Sequence, residues 1–304
     1  MAYLHSDREQ FRDAIDLAYE QTGVMVQAIE KDYYVTMLLR LLAQKMPYIV
    51  FKGGTSLSKC HKVIRRFSED IDITIDTLLS QGQKKKIKQA IVDSAQELGM
   101  TIENLDETRS RRDYNRYVIA YDSVIPMASD ALKAAVLLET SYTAVSFPTV
   151  LLPVHSYIGD MMEQEAPDAI EEYNLNPFEM KVQGIDRTLA DKVFAICDYY
   201  LQGKVAKHSR HLYDIYKLLP LVPQDENFRE LVKEVRAVRA QSVICPSALP
   251  EANVPELLEK IIKEKAYKQD YDSLTTQLLE ENVPYDTVIA ALKKVAESSL
   301  FENN

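Results

Sequence analysis

Two stretches of the chain decide its fold: Phe51-Lys52-Gly53-Gly54-Thr55-Ser56 and, further on, Asp70-Ile71-Asp72-Ile73-Thr74-Ile75-Asp76. Residues 48–51 are wholly apolar and predict a buried strand, which the glycines should end in a tight turn. A helix should follow the turn, with Thr55 or Ser56 as its cap. The second stretch alternates polar and apolar residues, which is the pattern of a strand with one buried face.

The polar face of the second stretch carries Asp70 and Asp72, because residues two apart on a strand point the same way. Two carboxylates this close repel each other, and a divalent cation between them makes the arrangement favourable. Hard oxygen ligands on a strand suit Mg²⁺ (or Mn²⁺) bound together with phosphates. We therefore predict that both residues bind metal in a phosphoryl or nucleotidyl transfer reaction. The alternative is an edge strand whose acidic face is merely solvated.

The glycine turn indicates which substrate lies beside the two acids. Gly53 and Gly54 lack a Cβ, so backbone N–H groups there can approach a triphosphate, and the following helix directs its positive end to the same place. We expect Gly53, Gly54, Thr55 and Ser56 to contact the nucleotide, although helix capping alone would explain Ser56. The stretch is neither a Walker A loop nor a dinucleotide fingerprint, since Gly-Lys-Ser/Thr and GxGxxG are missing.

The composition excludes several classes of protein. The net charge is -10, which argues against a protein that grips duplex nucleic acid over an extended surface. Basic clusters at 84–88, 109–116 and 204–210 can each be a solvated helix face or loop. The three cysteines are widely spaced and indicate neither a disulfide framework nor a zinc site. With no apolar run of membrane-spanning length and no visible signal peptide, we expect a cytoplasmic protein without membrane contact.

The order of predicted elements indicates an α+β protein. Residues 1–45 should form two helices separated at Gly23, which pack on an α/β core at 46–155. Strands in that core are expected at about 48–51, 70–76, 101–103, 116–121 and 132–142, with a helix at 84–98. Residues 156–304 should form a helical C-terminal domain that completes the active-site cleft. Its clearest helices are expected at 186–201, capped by Asp186, and at 208–219, with a later one at 271–281.

Further polar residues are candidates for the site. Lys192 lies mid-helix among apolar residues, so its ammonium should either snorkel to water or reach an anion across the cleft. Asp214 shares a helix face with His211, either as a surface pair or as an acid of the site. Glu139 lies in an apolar run, either as a general base toward the attacking hydroxyl or as a strand-end glutamate in water. His208 and His211 lack a third metal ligand at suitable spacing and are expected on an exposed, basic surface.

A family resemblance rests on Phe51-Lys52-Gly53-Gly54-Thr55-Ser56-Leu57-Ser58-Lys59 followed by Phe67-Ser68-Glu69-Asp70-Ile71-Asp72-Ile73. Further matches are Glu30-Lys31-Asp32-Tyr33, Lys192 in Leu-Ala-Asp-Lys, and Asp214 in Leu-Tyr-Asp-Ile. With these motifs the chain resembles the DNA polymerase β-type nucleotidyltransferase superfamily and, more narrowly, the AbiEii/AbiGii toxin family. The resemblance runs from about residue 30 to residue 219.

The resemblance implies a polymerase β-like nucleotidyltransferase core with a mixed sheet. It also implies the toxin of a two-gene toxin-antitoxin or abortive-infection phage-defence system. Asp70 and Asp72 would bind metal, Lys192 would hold the triphosphate, and Asp214 would complete the site. Such a toxin transfers a nucleoside monophosphate from an NTP to RNA, with the tRNA 3′ end favoured. The partners would be NTP, RNA and a cognate antitoxin from the adjacent gene, and we expect the toxin itself to be a monomer.

Other functions stay open at this point. Nucleotidylation of a protein hydroxyl uses the same metal chemistry as transfer to RNA. An NTP-binding module without transfer activity would bind nucleotide yet release no pyrophosphate. An interaction protein with a solvated acidic strand would show no effect of Mg²⁺ on NTP binding. The sequence also leaves open the base of the NTP, the number of nucleotides added and the way an antitoxin inhibits.

Overall fold

The computed structural model of the protein describes residues 2–68, 70–126 and 134–302. These residues form two compact units. Unit 1 consists of Met1–Cys60 and Ser68–Val182, and unit 2 consists of His61–Phe67 and Gln183–Asn304. The chain therefore enters unit 2 briefly between the two stretches that decide the fold.

Unit 1 is built on a mixed sheet of seven strands in the order β3-β4-β5-β2-β1-β7-β6. The strands are β1 (Ile49–Lys52), β2 (Ile71–Ile75), β3 (Thr101–Ile102), β4 (Tyr114–Ala120), β5 (Ala135–Val145), β6 (Thr149–Val154) and β7 (Phe178–Gln183). β1 runs antiparallel to β2 and parallel to β7, whereas β2 runs parallel to β5. β5 in turn pairs antiparallel with β4. The expected α+β class with a mixed sheet is confirmed.

The helices of unit 1 share a hydrophobic core with this sheet. They are α1 (Arg8–Thr22), α2 (Val26–Lys45), α3 (Gly53–Lys59), α4 (Gln81–Glu97), α5 (Tyr157–Glu165) and α6 (Pro167–Glu172). The predicted break at Gly23 is confirmed, since this residue ends α1 with φ +69°, in the left-handed region that favours glycine. The core joins helix residues such as Leu38 and Ile91 to strand residues such as Ile73 and Leu138.

Three strands differ from the expected pattern. β6 was not among the strands expected from the sequence. β5 begins at Ala135, and residues 132 and 133 of the predicted strand lie outside the described residues. β7 lies in a part of the chain that we expected to be helical. Its alternation of Phe178, Met180 and Val182 with polar residues is a strand pattern that the sequence analysis missed.

The described residues of unit 2 beyond residue 184 are helical or lie in turns and loops. Its helices are α7 (Ile185–Leu201), α8 (Arg210–Leu218), α9 (Glu226–Arg239), α10 (Val254–Glu264), α11 (Lys268–Asp270), α12 (Thr276–Leu278) and α13 (Tyr285–Glu297). The helix expected at 271–281 is wrong, because a π-helical segment at Tyr271–Thr275 precedes the short α12. Asp186 is also not the cap of α7, since Gly184 occupies that position. None of the helices in the described parts is long and apolar enough to span a membrane.

Candidate active site

A row of charged residues crosses four neighbouring strands of unit 1. Lys52 on β1 pairs in register with Asp72 on β2, and Asp72 pairs with Glu139 on β5. Glu139 in turn pairs with Arg116 on β4. Residues in register on neighbouring strands share a face of the sheet, so two carboxylates lie side by side between two cations. The sequence indicated Asp72 and Glu139 separately, and the sheet brings them together.

Glu139 lies within β5 rather than at its end. The guanidinium Nε of Arg116 is 3.8 Å from its carboxylate Oε1, and the phenol of Tyr114 forms a side-chain hydrogen bond with it. The alternative of a strand-end glutamate is therefore wrong. Burial and then the negative charge of Glu139 raise the pKa of Tyr114 above its usual value, so the phenol stays protonated and donates its hydrogen to the carboxylate.

Asp70 immediately precedes β2 and carries an oxygen without a partner. Its Oδ1 is buried and, within the described parts of the chain, accepts no hydrogen bond. A buried polar atom left in this state costs about 1–3 kcal/mol, so it marks a place where a ligand can supply the missing interaction. A cation that prefers oxygen ligands fits such an atom.

The glycine turn lies directly against Asp72. Gly53 has φ +82°, which disfavours any residue with a Cβ. A Cβ added there would lie 1.9 Å from Oδ2 and 2.8 Å from Cγ of Asp72. Glycine is therefore required twice, once by its backbone angle and once by the approach of the carboxylate. The two stretches that decide the fold meet at this contact.

The hydroxyls of Thr55 and Ser56 are both engaged within the protein. α3 begins at Gly53, with Lys52 as its N-cap, so neither hydroxyl residue caps the helix and that expectation is wrong. The physical reason is that β1 leads straight into α3, which places both residues inside the first turns. The Ser56 hydroxyl donates to the Gly53 carbonyl at 2.9 Å, and Thr55 Oγ1 lies 2.9 Å from Ser68 Oγ. Their contact with nucleotide stays a prediction.

A buried ion pair holds α3 in place. Lys59 Nζ lies 2.5 Å from Asp32 Oδ1 on α2 and also donates to the carbonyl of His155 at 2.5 Å. The other carboxylate oxygen of Asp32 accepts the backbone N–H of Tyr157 at 3.1 Å, where α5 begins. These bonds join α2, α3 and α5, and they anchor α3 at its last residue, the end opposite the glycine turn.

Unit 2 contains a buried ionic cluster centred on Asp214. The Arg66 guanidinium donates from Nε and Nη2 to the two carboxylate oxygens, at 2.7 and 2.9 Å. Lys192 Nζ lies 2.8 Å from Oδ2 of the same carboxylate, whose side chain is 0% exposed. The alternative of a surface pair is therefore wrong, and Asp214 is a buried anion. Lys192 therefore binds an anion instead of extending to water, and that anion is Asp214.

Opposing effects set the protonation of this cluster. Burial by itself raises the pKa of Asp214, but the charges of Arg66 and then Lys192 hold it well below its usual range. Burial lowers the pKa of Lys192, and Asp214 opposes that change. His211 Nδ1 lies 3.2 Å from Lys192 Nζ. Burial and then the lysine charge hold the pKa of His211 well below its usual value, so the ring is neutral at pH 7.

The sequence analysis missed two features of this cluster. His211 is buried and stacks parallel to Tyr199 and His208, so its expected place on an exposed basic surface is wrong. Arg66 lies 148 residues before Asp214, and nothing in its local pattern identifies the pair. The segment His61–Phe67 reaches Asp214 because it belongs to unit 2.

In the described residues, no group of three His, Cys, Asp or Glu side chains is close enough to hold a metal ion unaided. A Mg²⁺ ion held by one or two carboxylates completes its shell with substrate phosphates and water. The acids of unit 1 therefore suit a metal that arrives with a nucleotide.

Comparison with known families decides the class of enzyme. The family described as "Nucleotidyl transferase AbiEii toxin, Type IV TA system" matches residues 36–293, which is most of the chain. The chain belongs to this AbiEii family. The resemblance drawn from the motifs is thereby confirmed, and the protein is a nucleotidyltransferase. No curated protein matches the chain.

Membership of the AbiEii family also fixes the broad setting of the reaction. Nucleotidyltransferases generally use an NTP and a divalent metal, and a toxin of a type IV toxin-antitoxin system implies an antitoxin partner. The matched residues include the Gly53 turn and the Asp72 row in unit 1 and the Asp214 cluster in unit 2. Each of these features is therefore part of the AbiEii-family domain.

Proposed function

We propose that the protein transfers a nucleoside monophosphate from an NTP to an RNA hydroxyl, with the 3′ end of tRNA as the favoured acceptor. Modification of this end would make it the toxin of an abortive-infection phage-defence system in the cytoplasm. The observation that carries the proposal is the Gly53 turn packed against Asp72, two residues after Asp70, whose buried Oδ1 has no hydrogen-bond partner among the described residues. This arrangement combines a place for phosphates with a place for a cation.

Asp70 and Asp72 would hold the metal, for which Mg²⁺ is the first candidate and Mn²⁺ the second. The buried oxygen of Asp70 accepts no hydrogen bond from the described residues and so offers a ligand, and both acids carry the hard oxygens that these ions prefer. When bound, such an ion neutralises charge on the triphosphate and favours ionisation of the attacking hydroxyl.

The residues of unit 1 have separable roles in the transfer. The backbone N–H groups of Gly53 and Gly54, the first residues of α3, would face the phosphates. Glu139, in register with Asp72, would accept the proton of the acceptor hydroxyl. The acceptor oxygen then bonds to the α-phosphorus while the bond from that phosphorus to the bridging oxygen breaks, and pyrophosphate leaves with the bonding electrons.

Lys192 would hold the triphosphate of the NTP, with Asp214 and Arg66 as its support. For this contact the ammonium must exchange all or part of its bond to Asp214 for a phosphate oxygen. Arg66 binds both oxygens of Asp214, so the carboxylate keeps a partner when Lys192 turns away. A buried carboxylate without that second partner would resist the exchange.

Incubation with each α-labelled NTP, Mg²⁺ and total RNA, with a parallel reaction on total protein, tests this proposal. The wild type should place label in RNA, chiefly tRNA, while Asp70→Ala and Lys192→Ala should not. Label in protein instead would identify a protein hydroxyl as the acceptor. NTP binding without release of pyrophosphate would indicate a binding module. If Asp70→Ala labels RNA as well as the wild type does, the assigned site is wrong.

A further inference from the structure

An open depression of about 500 Å³ lies in unit 1 between α4 and the loop 103–113. Its charged lining consists of Lys85, Lys88 and Arg109 against the single carboxylate of Asp106. The protein as a whole carries a net charge of -10, so the charge of this concave surface is opposite in sign to the net charge of the protein. A local positive field of this kind attracts a phosphate-rich partner.

Two of the three cations of the depression, Lys88 and Arg109, are held by backbone carbonyls, which do not neutralise them. Lys88 Nζ donates to the backbone carbonyl of Thr108 at 2.9 Å, and the Arg109 guanidinium donates to the carbonyls of Thr108 and Asp106. Within the described parts of the chain, no carboxylate forms an ion pair with Lys85, Lys88 or Arg109. Backbone carbonyls orient these side chains but carry no net charge, so the positive charge stays available to a ligand.

The loop that carries Arg109 leads directly into β4 and the charged row. Lys84 Nζ lies 2.6 Å from Asp113 Oδ1, and the carbonyl of Asp113 accepts the N–H of Tyr142 on β5 at 2.8 Å. These bonds fix the loop where β4 begins. The next residue is Tyr114, and Arg116 follows in register with Glu139.

Tyr114 combines a fixed hydroxyl with an exposed ring. The residue is 52% exposed, although its phenol is hydrogen-bonded to Glu139. A tyrosine held at its hydroxyl loses little freedom when a flat ligand stacks on it. The Arg116 side chain beside it is also 52% exposed. Aromatic side chains and cations that alternate along a surface are the usual means of binding single-stranded nucleic acid.

We infer that Tyr114, Arg116 and the depression formed by Lys85, Lys88 and Arg109 bind the single-stranded end of the RNA acceptor. Tyr114 stacks a base next to Glu139, and the cations contact backbone phosphates upstream of the reacting hydroxyl. This inference rests on the proposed function, since it places the acceptor relative to the acids of unit 1. It names a single-stranded RNA end rather than a duplex, because the basic surface is local.

The test is binding of a fluorescent single-stranded RNA of about 12 nucleotides to the full chain, by anisotropy at several salt concentrations and without NTP. The double variant Lys85→Gln/Arg109→Gln should reduce the slope of log K against log salt by about 1.4, or about 0.7 for each phosphate that the protein no longer neutralises. Lys86→Gln, on the exposed face of α4, is the matched control and should leave the slope unchanged. Tyr114→Ala should weaken binding by about 5- to 150-fold, whereas Tyr114→Phe keeps the ring and most of the affinity.

The inference fails if the double variant has the slope of Lys86→Gln, or if Tyr114→Ala and Tyr114→Phe bind equally. It also fails if poly-glutamate competes as well as unlabelled RNA, because the surface would then recognise charge alone. Failure of the proposed function is a separate result. If the wild type transfers no label but the variants lose RNA binding, only the proposed transfer is wrong. If the wild type transfers label but the variants bind RNA as well as it does, only the proposed RNA-binding surface is wrong.

Discussion

Replacement of Gly53 by alanine should lower the rate of nucleotidyl transfer in a protein that still folds. The backbone angle of φ +82° adds a penalty of about 1–2 kcal/mol for a residue with a Cβ. The new Cβ would also lie 1.9 Å from Oδ2 of Asp72. To reach ordinary van der Waals contact, the carboxylate oxygen must retreat by about 1.5 Å. A displacement of this size in a reacting group lowers the rate by about 100-fold or more.

Gly23→Ala is the matched control, because Gly23 has a similar φ of +69° but no atom within 4 Å of an added Cβ among the described residues. Gly23→Ala should lose about 1–2 kcal/mol of unfolding free energy in urea, and Gly53→Ala should lose at least as much, because its Cβ also displaces the Asp72 carboxylate. Only Gly53→Ala should lose nucleotidyl transfer, measured as label incorporated into RNA in a single turnover. The difference between the two variants isolates the contact with Asp72 from the cost of the backbone angle.

Two results would refute this reasoning. If Gly53→Ala transfers at the wild-type rate, the carboxylate of Asp72 does not need its present position. If Gly23→Ala loses transfer to the same extent, the effect of either substitution is a general loss of folding rather than a local displacement.

Three further predictions concern the buried acids and the proposed base. Arg66→Met removes the bidentate partner of Asp214 and should lower the unfolding free energy by about 3–5 kcal/mol. Lys293→Met, at an exposed pair with Glu297, should change it by less than about 0.5 kcal/mol. Urea titrations measure both. The pKa of Asp214 is lower in the folded protein than in the unfolded chain, so its contribution to stability is present above about pH 4 and is lost as the pH falls below that value. The urea midpoint should therefore fall more between about pH 5 and pH 3 in the wild type than in Asp214→Asn, and equal slopes would contradict the assignment. Glu139→Gln should slow transfer by about 10²–10⁴-fold with unchanged NTP affinity, and a wild-type rate would exclude Glu139 as the base.

The part of the site that depends on local pattern could be predicted from the sequence. The strict alternation around Ile71 and Ile73 predicts a strand with Asp72 on its polar face, because the period of a strand is a property of the backbone, and β2 covers Ile71–Ile75 with Asp70 immediately before it. The glycine turn was likewise marked by its apolar strand and its two adjacent glycines. Its contact with Asp72 required that the two neighbouring strands pair, which the short connection between them favours.

The rest of the site depends on pairings between distant segments. Glu139 becomes a neighbour of Asp72 only through the parallel register of β2 and β5, and Arg66 reaches Asp214 only because the segment His61–Phe67 folds into unit 2. No local pattern encodes these choices. The capping residues expected for two helices were wrong, because Ser56 and Asp186 lie one to three residues after the first residue of their helices. A polar residue near a helix start looks the same in the sequence whether it is the cap or lies in the first turn.

The most direct test of the account compares Asp72→Asn with Asp76→Asn in one assay of pyrophosphate release and RNA labelling. Asp76 follows the same strand and pairs with Lys181, so its substitution controls for the loss of a carboxylate beside the site. The account predicts that Asp72→Asn abolishes both signals at wild-type stability, whereas Asp76→Asn keeps them. Activity in Asp72→Asn equal to that of the wild type would contradict the assignment of the acidic row as the centre of nucleotidyl transfer.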